Sequence, residues 1–339
     1  MNLHSPKKIK LRPSSHTPAR RVYIRAIGWN RRVSFCSNED IGEKTGHRPQ
    51  TISDLTGIQS RSRWEGDPVD LAMGAIIDLA KNTDQELIRG IDLIIVSTST
   101  PALLLPQTAA LISAEMGASG RGVPAFDLHA SCSGYIYGLT VARSMIQSGG
   151  HQNVLLVTLE KKSLQLCPIH GAETAILFGD MATATLLSGV TGAFRIEGSH
   201  IGAKGELAPI IFREADSCNG APILRMDGGR VYREAIRTLE REIPSFLERF
   251  KTEIPEIDLF VFHQANGRLI DSLARRLDLD RAKIPVSLTR FGNTSSSSIP
   301  LTLALHLEKK GEIPEKVLLG AFGGGATFGM ALLTQNHLR

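Results

Sequence analysis

The 339-residue chain has no apolar run long enough to span a bilayer. Its longest apolar region, Val317 to Leu333, is interrupted by Gly323, Gly324 and Gly325 and reads as two buried strands joined at a glycine turn. No membrane association is expected. Cysteine is scarce: Cys36, Cys132, Cys167 and Cys218 form no CxxC pair and have no metal-type spacing with histidines. That argues against a disulfide framework or a zinc site, fits a reducing cytoplasmic location, and leaves no metal and no cofactor to expect. Acidic residues are missing from positions 1–32, which carry nine Lys or Arg, so the overall charge of +5 is a property of the tail and the remainder is net negative. The tail lacks the apolar segment of a secretory signal, although its Arg and Ser content faintly suggests an organellar transit peptide. It reads as a basic, flexible extension over 1–20. Without aromatic interleaving it gives no expectation of nucleic-acid binding. What is present, 42% hydrophobic and 22% charged residues, is an ordinary globular composition.

The chain is organised around VPAFDLHASCSGYIYG, from Val123 to Gly138, where a short apolar run ends at a cysteine among small residues and a helical pattern follows. A turn that opens a helix exposes unpaired N–H groups and a positive dipole end, which favour an anion. A thiolate at Cys132 is such an anion, and this position is expected to lower the thiol's pKa and make a usable nucleophile. A packed, inert cysteine is the alternative reading. Gly134, Gly138 and Ala142 recur at i, i+4 and i+8, a smooth face on which another helix is expected to pack closely.

The strands before and after follow a repeat. A first strand begins at Arg21, a helix covers Val69 to Lys81, and IDLIIVSTSTP at Ile91 gives a buried strand followed by a helix from Gln107 to Met116. IDLIIVSTSTP matches IDLFVFHQANG at Ile257, VPAFDL at Val123 matches IPVSL at Ile284, and NVLLVTLE at Asn153 matches KVLLGAFG at Lys316, at offsets of 166, 161 and 163 residues. Three matched segments in one order predict two similar α/β halves, 21–190 and 191–339, related by a pseudo-two-fold axis, with mostly parallel strands covered by helices. The 161-residue offset makes Asn293, in FGNTSSSSIP, the counterpart of Cys132. His263 ends the strand IDLFVF, where a side chain projects into the crevice of an α/β sheet. Singly, His263 reads equally as a core histidine and Asn293 as a helix N-cap. The turn AFGGGATFG presents backbone N–H groups suited to an oxyanion, or is a tight turn between core strands.

These residues resemble the β-ketoacyl-acyl carrier protein synthase III family of thiolase-like condensing enzymes. DLHASCSGYIYGL, FGD at Phe178, HQANGR at His263, FGNTSSSSIP and AFGGGATFGMALL carry the resemblance, which runs from about Arg21 to Leu333. It implies a thiolase-like α/β fold with a duplicated five-layer αβαβα architecture, a homodimer formed through the N-terminal half, and ping-pong acyl transfer. Cys132 would take an acyl group from an acyl thioester. His263 and Asn293 would stabilise the enolate formed as a malonyl group on acyl carrier protein loses CO2. The N–H groups of Cys132 and Gly324 would form the oxyanion hole.

The sequence departs from the family where coenzyme A is gripped: a tryptophan and two arginines are replaced by Thr51, Leu55 and Ala172. At the family's carrier-protein positions it has Arg233, Arg268, Arg275 and Arg276, which otherwise read as a solvated helix face. Leu105 falls where a residue of the neighbouring subunit ends the family's acyl pocket. A same-fold acyltransferase to oxygen or nitrogen, a papain-like cysteine hydrolase and an inactive partner subunit are the alternatives.

Overall fold

The computed structural model describes residues 20–218 and 221–337, so the extension expected over 1–20 lies outside it except for Arg20. Nine strands form one continuous sheet in the order Leu259–Phe262, Lys316–Gly323, Thr327–Gln335, Phe194–Ala203, Tyr23–Trp29, Met181–Ser188, Asn153–Glu160, Leu93–Thr98 and Ala125–Leu128. The seam between its halves is slight, with only Tyr23 opposite Arg195 and Ile24 opposite Phe194. The sheet therefore behaves as two half-sheets. Leu93 and Ile95 point to one face and Ile94 and Val96 to the other, the period-two alternation of a strand buried on both sides.

Three apolar clusters set the layers. The central one joins both half-sheets through Tyr135, Leu139 and Ala142 of the helix Gly134–Gln147 and Ile299 and Leu303 of the helix Ser298–Lys310. Outside the first half-sheet lie the helices Pro68–Lys81 and Thr108–Glu115. Outside the second lie Gly228–Glu248 and Gly267–Arg276. The succession is αβαβα, five layers in two like halves.

Several expectations need correction. Pairing is mixed, with antiparallel ladders in the majority, because the glycine turn folds Lys316–Gly323 and Thr327–Gln335 into a hairpin and the strand Met181–Ser188 runs against both its neighbours. Ile284 to Leu288 forms no strand. Pro285 has no N–H for a ladder, and the Gln264 side chain bridges instead, donating to the Phe262 carbonyl at 2.9 Å and accepting from Ser287 N–H at 3.2 Å. The glycine face of the Gly134–Gln147 helix meets strands, not a helix: a β-carbon on Gly134 would sit 2.1 Å from Ser97 Oγ, and one on Gly138 2.5 Å from Leu156 Cδ1. Cys167 is disulfide-bonded, against the expectation from cysteine spacing, while Cys36 and Cys132 are free.

Candidate active site

Cys132 lies in a 3-10 turn, Ser131–Ser133, directly ahead of the central helix Gly134–Gln147. The second half repeats the device in the 3-10 turn Ser295–Ser297 ahead of Ser298–Lys310. Each turn begins with a serine of positive φ, Ser131 at 47° and Ser295 at 53°. This registers Cys132 on Ser296, so Asn293 is not its structural counterpart but sits at the entry to the matching turn. The segment offset drifts between elements, which put the sequence-based pairing out by three residues.

Cys132, His263 and Asn293 nevertheless open into one cavity of about 1000 Å³, lined also by Phe178, Phe262, Phe322 and Gly323. Cys132 Sγ lies 3.5 Å from Ser295 Oγ. Burial pushes its thiol above the ordinary value, while nearby Lys162 and the Ser295 hydroxyl pull it back. The direction is opposite to that expected from the helix terminus, and its largest cause is desolvation. Gly323 packs against Cys132, and a β-carbon there would stand 2.9 Å from Cys132 N and 3.0 Å from Cys132 Cβ. Gly325 takes φ +89°, a conformation that favours glycine, and Gly324 between them is buried.

His263 follows the strand Leu259–Phe262 and donates its backbone N–H to the Gly320 carbonyl at 2.8 Å. Its Nδ1 is 2.7 Å from Ser298 Oγ, which also accepts from Gln264 N–H at 3.3 Å. Burial first, then the Lys162 charge, push the imidazole down to about 3, so the ring is neutral at physiological pH. Asn293 is held by its backbone to Leu177 and Gly179, and its Oδ1 accepts from Ser295 N–H at 2.9 Å. Asn293 is therefore no N-cap, a position Thr294 takes ahead of Ser295–Ser297; its oxygen closes an Asx-type turn, and its amide N–H groups are left for the cavity. Ser295 and Ser298, which orient the thiol and the imidazole, escaped the sequence reading although both stand in the serine run 295–298.

Of the other candidates, Arg233 and Arg268 line the same cavity near Leu55 and Ala172. Arg268 Nε donates to the Asp54 carbonyl at 3.0 Å. Arg275 and Arg276 line an adjoining hollow of about 420 Å³ with Arg233, Tyr232 and Ser272, and Arg276 pairs with Glu240 at 3.3 Å. Leu105 is 84% exposed and lies apart from this chain's cavity. Among the described residues, no group of three or more His, Cys, Asp or Glu is placed to hold a metal ion, and no helix is long and apolar enough to cross a membrane.

A duplicated five-layer fold whose paired central turns and a strand end bring cysteine, asparagine and histidine to one cavity defines a thiolase-like condensing enzyme. Family models match over residues 126–205, as 3-oxoacyl-[acyl-carrier-protein] synthase III, and over residues 247–335, as the C-terminal part of the same enzyme. The chain is 35% identical over 310 residues to the β-ketoacyl-[acyl-carrier-protein] synthase III of Streptococcus gordonii, covering 88% of this chain and 94% of that one. It is 35% identical over 329 residues to the enzyme of the same name from Xylella fastidiosa, covering 93% and 99%. Among solved structures, the synthase III of Aquifex aeolicus superposes with a TM-score of 0.85 at 32% identity, covering 92% of this chain and 99% of that chain. The priming β-ketosynthase of the R1128 polyketide pathway superposes with a TM-score of 0.84 at 28% identity, covering 96% and 99%. The chain belongs to the β-ketoacyl-[acyl-carrier-protein] synthase III family, and its activity is that of an acyl-transferring condensing enzyme.

Proposed function

We propose that Cys132 carries the acyl group and that His263 and Asn293 drive decarboxylation of the extender. The sulfur attacks the donor thioester, a new C–S bond forms, and the donor's thiol leaves with the proton. When a malonyl thioester follows, its C–C bond to the carboxylate breaks, CO2 departs, and the electron pair enters the thioester carbonyl as an enolate. The enolate carbon attacks the Cys132 thioester, and collapse of that adduct returns the cysteine as leaving group. N–H groups of Cys132 and Gly324 receive the oxyanions of the two acyl-transfer steps, a type of contact whose loss typically lowers rate about 10²- to 10³-fold.

One observation carries this reading: Ser298 Oγ stands 2.7 Å from His263 Nδ1, and Ser295 N–H holds Asn293 Oδ1. With Gln264 N–H donating to Ser298 Oγ, we assign the Ser298 hydroxyl as the donor to His263 Nδ1, which puts the ring proton on Nε2. Asn293 Oδ1 is held by Ser295 N–H. The imidazole, which also meets the Ser295 backbone carbonyl, and the Asn293 amide are then the donors proposed for a developing enolate, a stabilisation delivered mainly in the transition state. An acyltransferase to an alcohol or amine needs a base at this place, and an imidazole held at about 3 is a poor one.

For the donor, we infer an acyl thioester on a carrier protein. Leu55 and Ala172 supply no cation and no aromatic platform to the cavity lining, while Arg233 and Arg268 in the same lining offer positive charge to an acidic carrier. Leu105 and its exposed neighbours Leu103 and Leu104 suit burial by a second copy, with the partner's Leu105 closing the acyl pocket. The test is acylation of Cys132, followed by mass, with matched acyl-carrier and acyl-CoA donors. Faster labelling by the carrier supports the reading, and equal labelling overturns the donor assignment.

A further inference from the structure

Behind the cavity lies a charged group that the reaction above does not use. Glu160, the last residue of the strand Asn153–Glu160, and Lys162, two residues on, are 0% and 4% exposed and 3.3 Å apart. Glu160 Oε2 accepts from Ser99 Oγ at 2.7 Å, and Lys162 Nζ donates to the same hydroxyl at 2.5 Å. Glu160 Oε1 accepts from Ser296 Oγ at 2.7 Å. Ser296 adjoins Ser295, whose hydroxyl touches the Cys132 sulfur. The hydrogen bonds therefore run from the ammonium to the turn that abuts the nucleophile, and neither charged residue lines the cavity.

A buried ion pair is weak evidence for stability, because well-packed apolar residues often serve as well. Its placement here indicates another role. We propose that the Glu160–Lys162 pair is a positioning device for acyl transfer: Glu160 fixes the Ser295–Ser296 turn against Cys132, and Lys162 sets a cation behind the sulfur that favours the anionic nucleophile. The titratable groups bearing on Cys132 are Lys162 and Glu160 from the strand end and the following turn, and His263 across the cavity. In the link ahead of the Cys132 turn, His129 feels the same pair and Arg213. Lys162 acts on two of these groups in the sense the reaction needs, toward the thiolate at Cys132 and toward the neutral ring at His263. Glu160 opposes it at Cys132 with the smaller influence.

The inference rests on Cys132 being the nucleophile, and the experiment reads the thiol directly, so it fails or stands apart from the condensation reading. Iodoacetamide alkylation is followed at the Cys132 peptide from about pH 6 to about pH 10 in the wild type, Lys162→Met, Lys162→Arg and the double variant Glu160→Gln/Lys162→Met. Expected are a midpoint about one pH unit higher and about tenfold slower alkylation at pH 7 in Lys162→Met, and a smaller shift in the same direction in the double variant, which also loses the opposing Glu160 charge. Lys162→Arg stays near the wild type, and KM for the malonyl thioester stays unchanged throughout. Unmoved profiles in folded charge-removing variants overturn the proposal. If Lys162→Met fails to fold, the double variant decides. If neither folds, the pair serves the fold alone and the tuning role is refuted.

Discussion

At Gly323 a single added β-carbon would press directly on Cys132. The Gly323 φ of −153° is open to any residue, so Gly323→Ala strains no backbone angle, and the whole effect is contact. The new β-carbon would lie 2.9 Å from Cys132 N, 3.0 Å from Cys132 Cβ and 3.1 Å from Ser133 N, against 3.4 Å or more for an ordinary contact. The turn carrying the nucleophile must retreat by roughly 0.5 Å, since Gly323 is fixed on its other side by pairing with Thr327. Misplacement by about 1 Å can lower a rate about 10²-fold, so about tenfold slower acylation of Cys132 is expected. Overpacking of this size also destabilises by about 1–3 kcal/mol. Decarboxylation of a malonyl thioester in the absence of donor, assigned here to His263 and Asn293, is expected to change much less. Rapid-quench intact mass measures the first step and CO2 release the second. A folded Gly323→Ala protein that acylates at the wild-type rate refutes the coupling of this glycine to the nucleophile.

His263→Ala and Asn293→Ala are each expected to lose about 10²- to 10³-fold in malonyl decarboxylation while still forming acyl-Cys132, measured by CO2 release beside intact mass. Ser298→Ala removes the partner of His263 Nδ1 and lowers decarboxylation less than His263→Ala does, with KM for the malonyl thioester unchanged in steady-state assays. The fold holds His263 at about 3 against 6.5 in the unfolded chain, so protons bind the unfolded state preferentially between those values. Its stabilising contribution is complete above 6.5 and is lost as pH falls toward 3, by about 1.4 kcal/mol per unit. Urea unfolding at pH 7 and pH 5 is expected to show about 2 kcal/mol more loss in the wild type than in His263→Gln. Because burial raises the Cys132 thiol, acylation accelerates with pH through neutrality, and a pre-steady-state profile that is flat from about pH 6 to about pH 9 contradicts that reading.

Much of this architecture was legible because its signals are local. Continuous apolar runs at Leu93–Thr98 and Asn153–Glu160 are strands buried on both faces, and the three glycines at 323–325 permit only a turn between them. The repeat made the two halves visible, and the strand-final position of His263 placed it at the cavity. What escaped was set by tertiary context. Strand direction followed from a hairpin and not from the alternation of helices and strands. The segment at Ile284 has the composition of a strand, but Pro285 and the Gln264 amide divert its hydrogen bonds. A constant offset could not find Ser296 as the partner of Cys132, because only the paired positive-φ serines reveal the register. The Glu160–Lys162 pair reads in sequence as an ordinary polar strand end, and its burial depends on Ser99 and Ser296 from distant segments.

Single-turnover discharge of isolated acyl-Cys132 protein tests the central claim most directly. Mixed with a malonyl-carrier thioester, the adduct is predicted to disappear at the rate at which CO2 and a two-carbon-longer β-ketoacyl thioester appear, one of each per adduct. Loss of the acyl group to water, an alcohol or an amine with no CO2 released would contradict it.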